Sequence, residues 1–277
     1  MAVITHPKFF GFDKFYRKNK PMEVINALKA KDPSVSFTID ENVHVSVESS
    51  IALIINERYR INILCTCQQI EALCIGYLVC EGLITSIDDI SKIELKDENM
   101  VYISTNTSTQ DFFYWTEIRT SGCIGIKQQY EKIDKIIDSD ITISPEIFFK
   151  SQEEMNKSGN IWKISGGTHM SSLFQSDGKL LSFSEDVGRH NTLDKIIGEA
   201  ILNEINLSNC FVITSGRLSA AMISKLLRAG IPIVISISAP TAQGIKLAKQ
   251  KNMTVIGFSR PPFFNIYTCP DRIILKK

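Results

Sequence analysis

Apolar positions along this chain change period several times, and each change predicts an element. Residues 51–55 and 59–64 are apolar-rich runs around the polar Asn56-Glu57-Arg58, the pattern of a β-hairpin, and the alternation over 43–47 predicts a strand just before it. Over 68–81 the period lengthens. Ile70, Leu73, Cys74, Tyr77 and Leu78 fall on one helical stripe, which Gly82 closes at a C-cap position. Alternation returns at 93–95 and 101–103 around a turn at 96–99, a second hairpin. Upstream, Pro21-Met22 starts a predicted short amphipathic helix that ends near Asp32-Pro33.

In the second half, Ser144-Pro145 opens a helix through about residue 157, with serine as cap and proline in the first turn. Gly166-Gly167 and the turn Gln175-Ser176-Asp177-Gly178 frame a further hairpin. From Leu193 the apolar residues Leu193, Ile196, Ile197, Ala200 and Ile201 follow one helix face, with Asn191 or Thr192 as the expected cap. Strands at 211–214, 231–238 and 254–258 then alternate with helices at 219–229 and 241–251. Two consecutive βαβ units predict a parallel sheet with right-handed crossovers. The expected organisation is an N-terminal arm over 1–34, a small α+β domain with hairpins and one helix over 35–112, and an α/β ligand-binding domain over 113–277. Phe9, Phe10 and Phe15 of the arm are expected to dock on the body, since exposed aromatic clusters are unfavourable.

With 277 residues, 44% of them hydrophobic and 22% charged, the chain can bury one large core or two modest ones. A net charge of +1 argues against non-specific binding to nucleic acid or a membrane surface. No apolar run approaches the roughly 20 residues a membrane span requires, and residues 1–20 lack the apolar core of a secretory signal. The seven cysteines form no spaced framework, which suggests reduced thiols and a cytoplasmic protein.

Three places carry candidate chemistry. At 119–125, RTSGCIG sets Cys123 between glycines, which presents a thiol on a loop; Arg119 and Lys127 favour its thiolate, although a packing role is the alternative. Asp186, Arg189 and His190 sit in the turn feeding a helix N-terminus, where backbone N–H groups favour an anion, unless Asp186 and Arg189 simply pair. Finally, the strand ends deliver Ser215-Gly216-Arg217, Ser238-Ala239-Pro240-Thr241 and Phe258-Ser259-Arg260 to one sheet edge, a fit for a phosphorylated ligand. A zinc deaminase would need a Pro-Cys-x-x-Cys pair and a His-x-Glu, and the chain has neither. Cys65-x-Cys67 alternates within an apolar strand end and is expected to be structural, so no metal site is expected.

The run GGTHMSSLF followed by GKLLSFSEDVGRHNTLDKIIG resembles the signature of the FdhD family of formate dehydrogenase accessory sulfurtransferases. The likeness extends from the 49–64 strand pair through ALCIGYLVCEGLI and RTSGCIG to FSRPPFFNIYT. It implies a cytidine deaminase-like three-layer α/β domain with a mixed, partly parallel sheet, plus the smaller N-terminal α+β domain. It also implies a homodimer whose loop cysteine, here Cys123, takes sulfane sulfur from a cysteine desulfurase as a persulfide. The sulfur then passes to the bis-molybdopterin guanine dinucleotide molybdenum cofactor before formate dehydrogenase receives it. The binding residues so implied are Phe258, Ser259, Arg260, Pro261, Pro262 and Phe263, with Ser215, Gly216, Arg217, Thr241, Thr168, His169, Asp186, Arg189 and His190. A non-catalytic molybdenum-cofactor chaperone and, behind it, a zinc-dependent deaminase-like enzyme are the alternatives. In one respect the chain departs from the family, because many members carry a second cysteine three positions after the first and here that position is Ile126.

Overall fold

The computed structural model describes residues 9–10, 19–32, 36–96, 99–106 and 133–275. A short strand β1 (Phe9–Phe10) precedes a two-stranded ribbon, β2 (Met22–Asp32) and β3 (Ser36–Ser46), paired antiparallel from Met22↔Ser46 to Asp32↔Ser36. A helix was expected over β2. The segment pairs instead, with Val24 opposite His44 and Ile25 opposite Val43, because an eleven-residue stretch has no decisive period and a partner strand outweighs weak helical propensity. This ribbon pairs residues 22–32 of the expected arm with residues 36–46 beyond its expected end.

Next come β4 (Ser49–Ile55) and β5 (Tyr59–Cys65), joined by a turn in which Asn56 and Glu57 take φ of 50° and 55°. After them follow α1 (Ile70–Cys80), β6 (Ile90–Lys96) and β7 (Met100–Thr105). These strands form one sheet in the order β1-β6-β7-β4-β5. Strand alternation turns Leu53, Ile55, Ile61, Ile63, Ile93, Val101 and Ile103 onto one face, where α1 covers them. The expected stripe on α1 understates its burial, since every residue from Ala72 to Cys80 is buried. A helix enclosed on all sides sits between layers rather than on a surface.

The second sheet follows α2 (Pro145–Ser158) and the short α3 (Ile161–Ser165). It contains β8 (His169–Gln175), β9 (Leu180–Asp186), β10 (Cys210–Thr214), β11 (Ile233–Ser236), β12 (Thr254–Arg260) and β13 (Phe263–Thr268), interleaved with α4 (Arg189–Leu202), α5 (Ala220–Ala229) and α6 (Ala242–Gln250). Their order is β13-β12-β11-β10-β8-β9, a parallel centre of β10, β11 and β12 with an antiparallel hairpin at each margin. Leu193, Ile197, Leu226 and Leu247 of α4–α6 pack over Val212, Val234 and Val255 on one face. Phe148 and Met155 of α2 pack over Phe211, Ile213, Ile235 and Ile256 on the other, which makes three layers. The predicted βαβ units are all present. The edge strand β13 was not predicted, because it is half exposed and joins β12 through register shifts that blur its alternation.

The expected cap of α4 also differs. Gly188 is the N-cap and the helix begins at Arg189, so Asn191 and Thr192 lie inside its first turn. Asp186 fixes the turn just before the helix, accepting the Gly188 N–H at 2.8 Å, while the Asn191 amide donates to Asp186 Oδ1 at 2.8 Å and to the Leu64 carbonyl at 2.7 Å.

Candidate functional site

Hydroxyl side chains shape the sheet edge where β10, β11 and β12 end. Thr214 Oγ1 accepts the Gly216 N–H at 3.1 Å, Ser236 Oγ donates to the Gly216 carbonyl at 2.7 Å, and Ser238 Oγ donates to the Ser215 carbonyl at 3.0 Å. Side-chain partners of this kind hold a backbone that has left the sheet. The 215–218 and 238–241 loops are also zipped together, with Leu218 N–H donating to the Ala239 carbonyl at 3.1 Å and Thr241 N–H to the Leu218 carbonyl at 3.0 Å. Ser219 caps α5 and Thr241 caps α6, so two helix N-termini open on the same edge.

Antiparallel pairing brings the hairpin β8–β9 to this edge, with His169 opposite Asp186. Ser215 Oγ takes the Met170 N–H at 3.0 Å and lies 3.2 Å from His169 Nδ1. The aliphatic part of Arg189 packs on Gly216, where a Cβ would come within 2.9 Å of Arg189 Cβ. Burial, then Arg189 and Arg217, hold the His169 imidazole below its ordinary pKa, with Asp186 opposing them. His169, Ser215, Gly216, Arg189 and the exposed Arg217 therefore form one constellation, with His190 half-buried on the same helical turn.

Other expected site residues stand apart from it. Thr168 is buried and donates to Glu185 Oε1 at 3.4 Å; that carboxylate in turn accepts the N–H groups of Asn160, Ile161 and Trp162 at 2.7–3.0 Å and so caps α3. Asp186 is fully buried and bonded to Lys195 Nζ at 2.6 Å, so the Asp186–Arg189 pair weighed from the sequence is not the one that forms. Lys195 also donates to the Thr66 carbonyl at 3.0 Å, and Thr66 N–H donates back to Asp186 at 3.0 Å, which ties the β5–α1 connection to the site turn. Along 258–263, Phe258 (φ 52°), Arg260, Pro261, Pro262 and Phe263 are exposed, while Ser259 is buried, its hydroxyl donating to Gln152 Oε1 at 2.7 Å. Cys123 with Arg119 and Lys127, like Phe15, lies outside the described residues.

Sequence reasoning missed two buried charge networks: Asp186–Lys195–Thr66, and Lys225 bridging Asp194 and Glu81, each at 2.7 Å, beneath the Tyr77 ring. Both lysines fall in runs that read as ordinary solvated helix faces, and only the packing of α4 against its neighbours buries them. Most of the described thiols are buried. Cys65, Cys74 and Cys80 are fully buried and burial pushes each well up, while burial raises Cys67 against a lowering hydrogen bond from Ser49 and takes Cys210 to about 11. Among the described residues, no three His, Cys, Asp or Glu side chains converge on a metal position, and no helix is long and apolar enough to cross a membrane.

A sequence profile described as the FdhD/NarQ family matches residues 46–274. The chain belongs to that family. The FdhD/NarQ match takes in the second sheet, every strand of the first but β1, and every strand-end loop described above. A relative named sulfur carrier protein FdhD from Methanothermobacter thermautotrophicus is 36% identical over 208 residues, covering 75% of this chain and 82% of its own. The protein of the same name from Bacillus subtilis is 35% identical over 234 residues, covering 82% and 88%. A crystal structure from Desulfotalea psychrophila, provisionally assigned as a formate dehydrogenase accessory protein, matches with a TM-score of 0.76 at 24% identity, over 92% of this chain and 100% of its own, and so shares the fold.

Proposed function

We propose that this chain is a sulfur carrier. It takes sulfane sulfur from a cysteine desulfurase onto Cys123 and passes it to the bis-molybdopterin guanine dinucleotide molybdenum cofactor, which then serves formate dehydrogenase. Membership of the FdhD/NarQ family, with relatives named sulfur carrier protein, carries the reading. The burial of most other thiols supports it. Five of the described cysteines are buried with raised pKa values, whereas Cys123 follows a glycine in the RTSGCIG loop, beside Arg119 and Lys127.

In this reading the Cys123 thiolate attacks the outer sulfur of the desulfurase persulfide. One S–S bond forms as another breaks, the desulfurase cysteine leaves as thiolate, and no net electrons move. The dinucleotide substrate is held at the sheet edge, its phosphates facing Arg189, Arg217, Arg260, His169 and the α5 and α6 N-termini, with the exposed Phe258 and Phe263 against its base. The three-layer sheet supports the cytidine deaminase-like description of the fold, and the carrier is a cytoplasmic homodimer. A non-catalytic chaperone would share this pocket and differ at the thiol. Intact mass after incubation with a cysteine desulfurase and cysteine separates them: the carrier gains a sulfur adduct that maps to Cys123 and disappears in Cys123→Ala, and loading that persists in the variant rejects the assignment.

A further inference from the structure

We propose that His169 takes up a proton when a phosphoryl group settles beside Arg189 and Arg217, so that the sheet-edge site grips its ligand more tightly as pH falls into the histidine range. The inference rests on the phosphate-binding part of the proposed function. His169 starts β8 next to the end of β10, with its Nδ1 3.2 Å from Ser215 Oγ. A hydroxyl both donates and accepts, so Ser215 can partner Nδ1 whether the ring is neutral or cationic.

Among the described residues, the charged groups around the ring come from three elements. Arg217 follows β10 and Arg189 opens α4, beside His190; both arginines oppose a charged imidazole, as burial does. Asp186 of β9 favours it, but that carboxylate is already engaged by Lys195 at 2.6 Å and by the Asn191 amide. Glu185, the other acid of β9, is committed to the α3 N-terminus. From the opposite face, α2 buries only Phe148, Ser151, Gln152 and Met155. Among the described residues the balance around His169 is therefore against its charged form, and it is reversed when a pyrophosphate diester brings two negative charges between the arginines. The free protein holds the His169 proton less tightly than an ordinary histidine does, and the complex holds it more tightly. Between those two values binding consumes a proton, and affinity rises as pH falls by up to about tenfold per pH unit.

The probe is diguanosine 5′,5′-diphosphate, whose diester phosphates do not titrate near neutral pH, so any proton taken up belongs to the protein. Calorimetry near pH 6.5, about the ordinary histidine value, in buffers of different ionisation enthalpy is expected to show uptake approaching one proton for the unaltered protein and none for His169→Gln. Probe binding without proton uptake, or with equal uptake in His169→Gln, overturns the inference while leaving the phosphate site intact. Should the variant fail to fold, the His169 imidazole resonance of the unaltered protein is expected to titrate at higher pH with the probe than without it, and an unchanged midpoint overturns the inference. If the probe does not bind at all, the inference and the cofactor site fall together, whereas sulfur loading of Cys123 tests the carrier reading separately.

Discussion

Gly76 and Gly198 face each other where α1 crosses α4, and neither has room for a methyl group. A Cβ on Gly76 would strike the Asp194 carbonyl, and one on Gly198 would strike the Ala72 carbonyl. Backbone in contact with backbone cannot yield by changing a rotamer, so this crossing sets how closely the first sheet's helix approaches the second. Asp194 sits at the crossing and also binds Lys225, so the contact and the buried charges share one piece of α4.

Gly76→Ala is accordingly expected to cost about 3 kcal/mol, the upper end of ordinary overpacking. Urea unfolding should show a lower midpoint at an unchanged slope, and a loss under about 1 kcal/mol would mean that the helices separate freely.

Lys195→Met leaves the Asp186 carboxylate buried without its cation and is expected to cost about 3–5 kcal/mol. Adding Asp186→Asn should recover part of that loss, because the uncompensated charge is then gone. If the double variant is less stable than Lys195→Met, the charge is not the source of the loss.

Native alkylation reads the thiols directly. A raised pKa means less thiolate at any given pH, so near pH 8.5, where an ordinary thiol is about half ionised, Cys65, Cys74 and Cys80 should stay unmodified. Peptide mapping should find the label on Cys269, which is only half-buried, well before those three. Early labelling of Cys65 would contradict the burial.

Within the proposed site, Arg217→Ala and Arg260→Ala each remove one charge-assisted phosphate contact. Each should weaken guanosine diphosphate binding by roughly 1.5–3 kcal/mol, or roughly 10- to 150-fold. Equal affinity in both variants would move the pocket elsewhere.

Release of sulfur as sulfide needs two electrons, and Ile126 cannot supply them by disulfide formation as a neighbouring cysteine could. An external reductant or the cofactor site itself must do so, and the free protein under turnover should hold no intramolecular disulfide containing Cys123. Non-reducing peptide maps check this; a substantial crosslink from Cys123 to Cys65 or Cys67 is the contrary result.

The sequence by itself determined the parallel centre of the second sheet, both hairpins of the first region and α1, because in each the apolar period is long enough or the turn residues specific enough to act locally. It also placed Ser215, Gly216 and Arg217 with Thr241 and Arg260 at one edge, since βαβ connectivity brings the strand ends together whatever the packing. Tertiary structure alone decided the rest. Met22–Asp32 became a strand because Ser36–Ser46 pairs with it, and β13 was found only as the edge partner of β12. Asp186 turned inward because Lys195 and Thr66 meet it there, and Lys225 was buried because α1 and α4 approach to backbone contact over Gly76 and Gly198. A local pattern records which face of an element is apolar; which buried charge finds which partner depends on residues more than a hundred positions apart, as with Thr66 and Asp186.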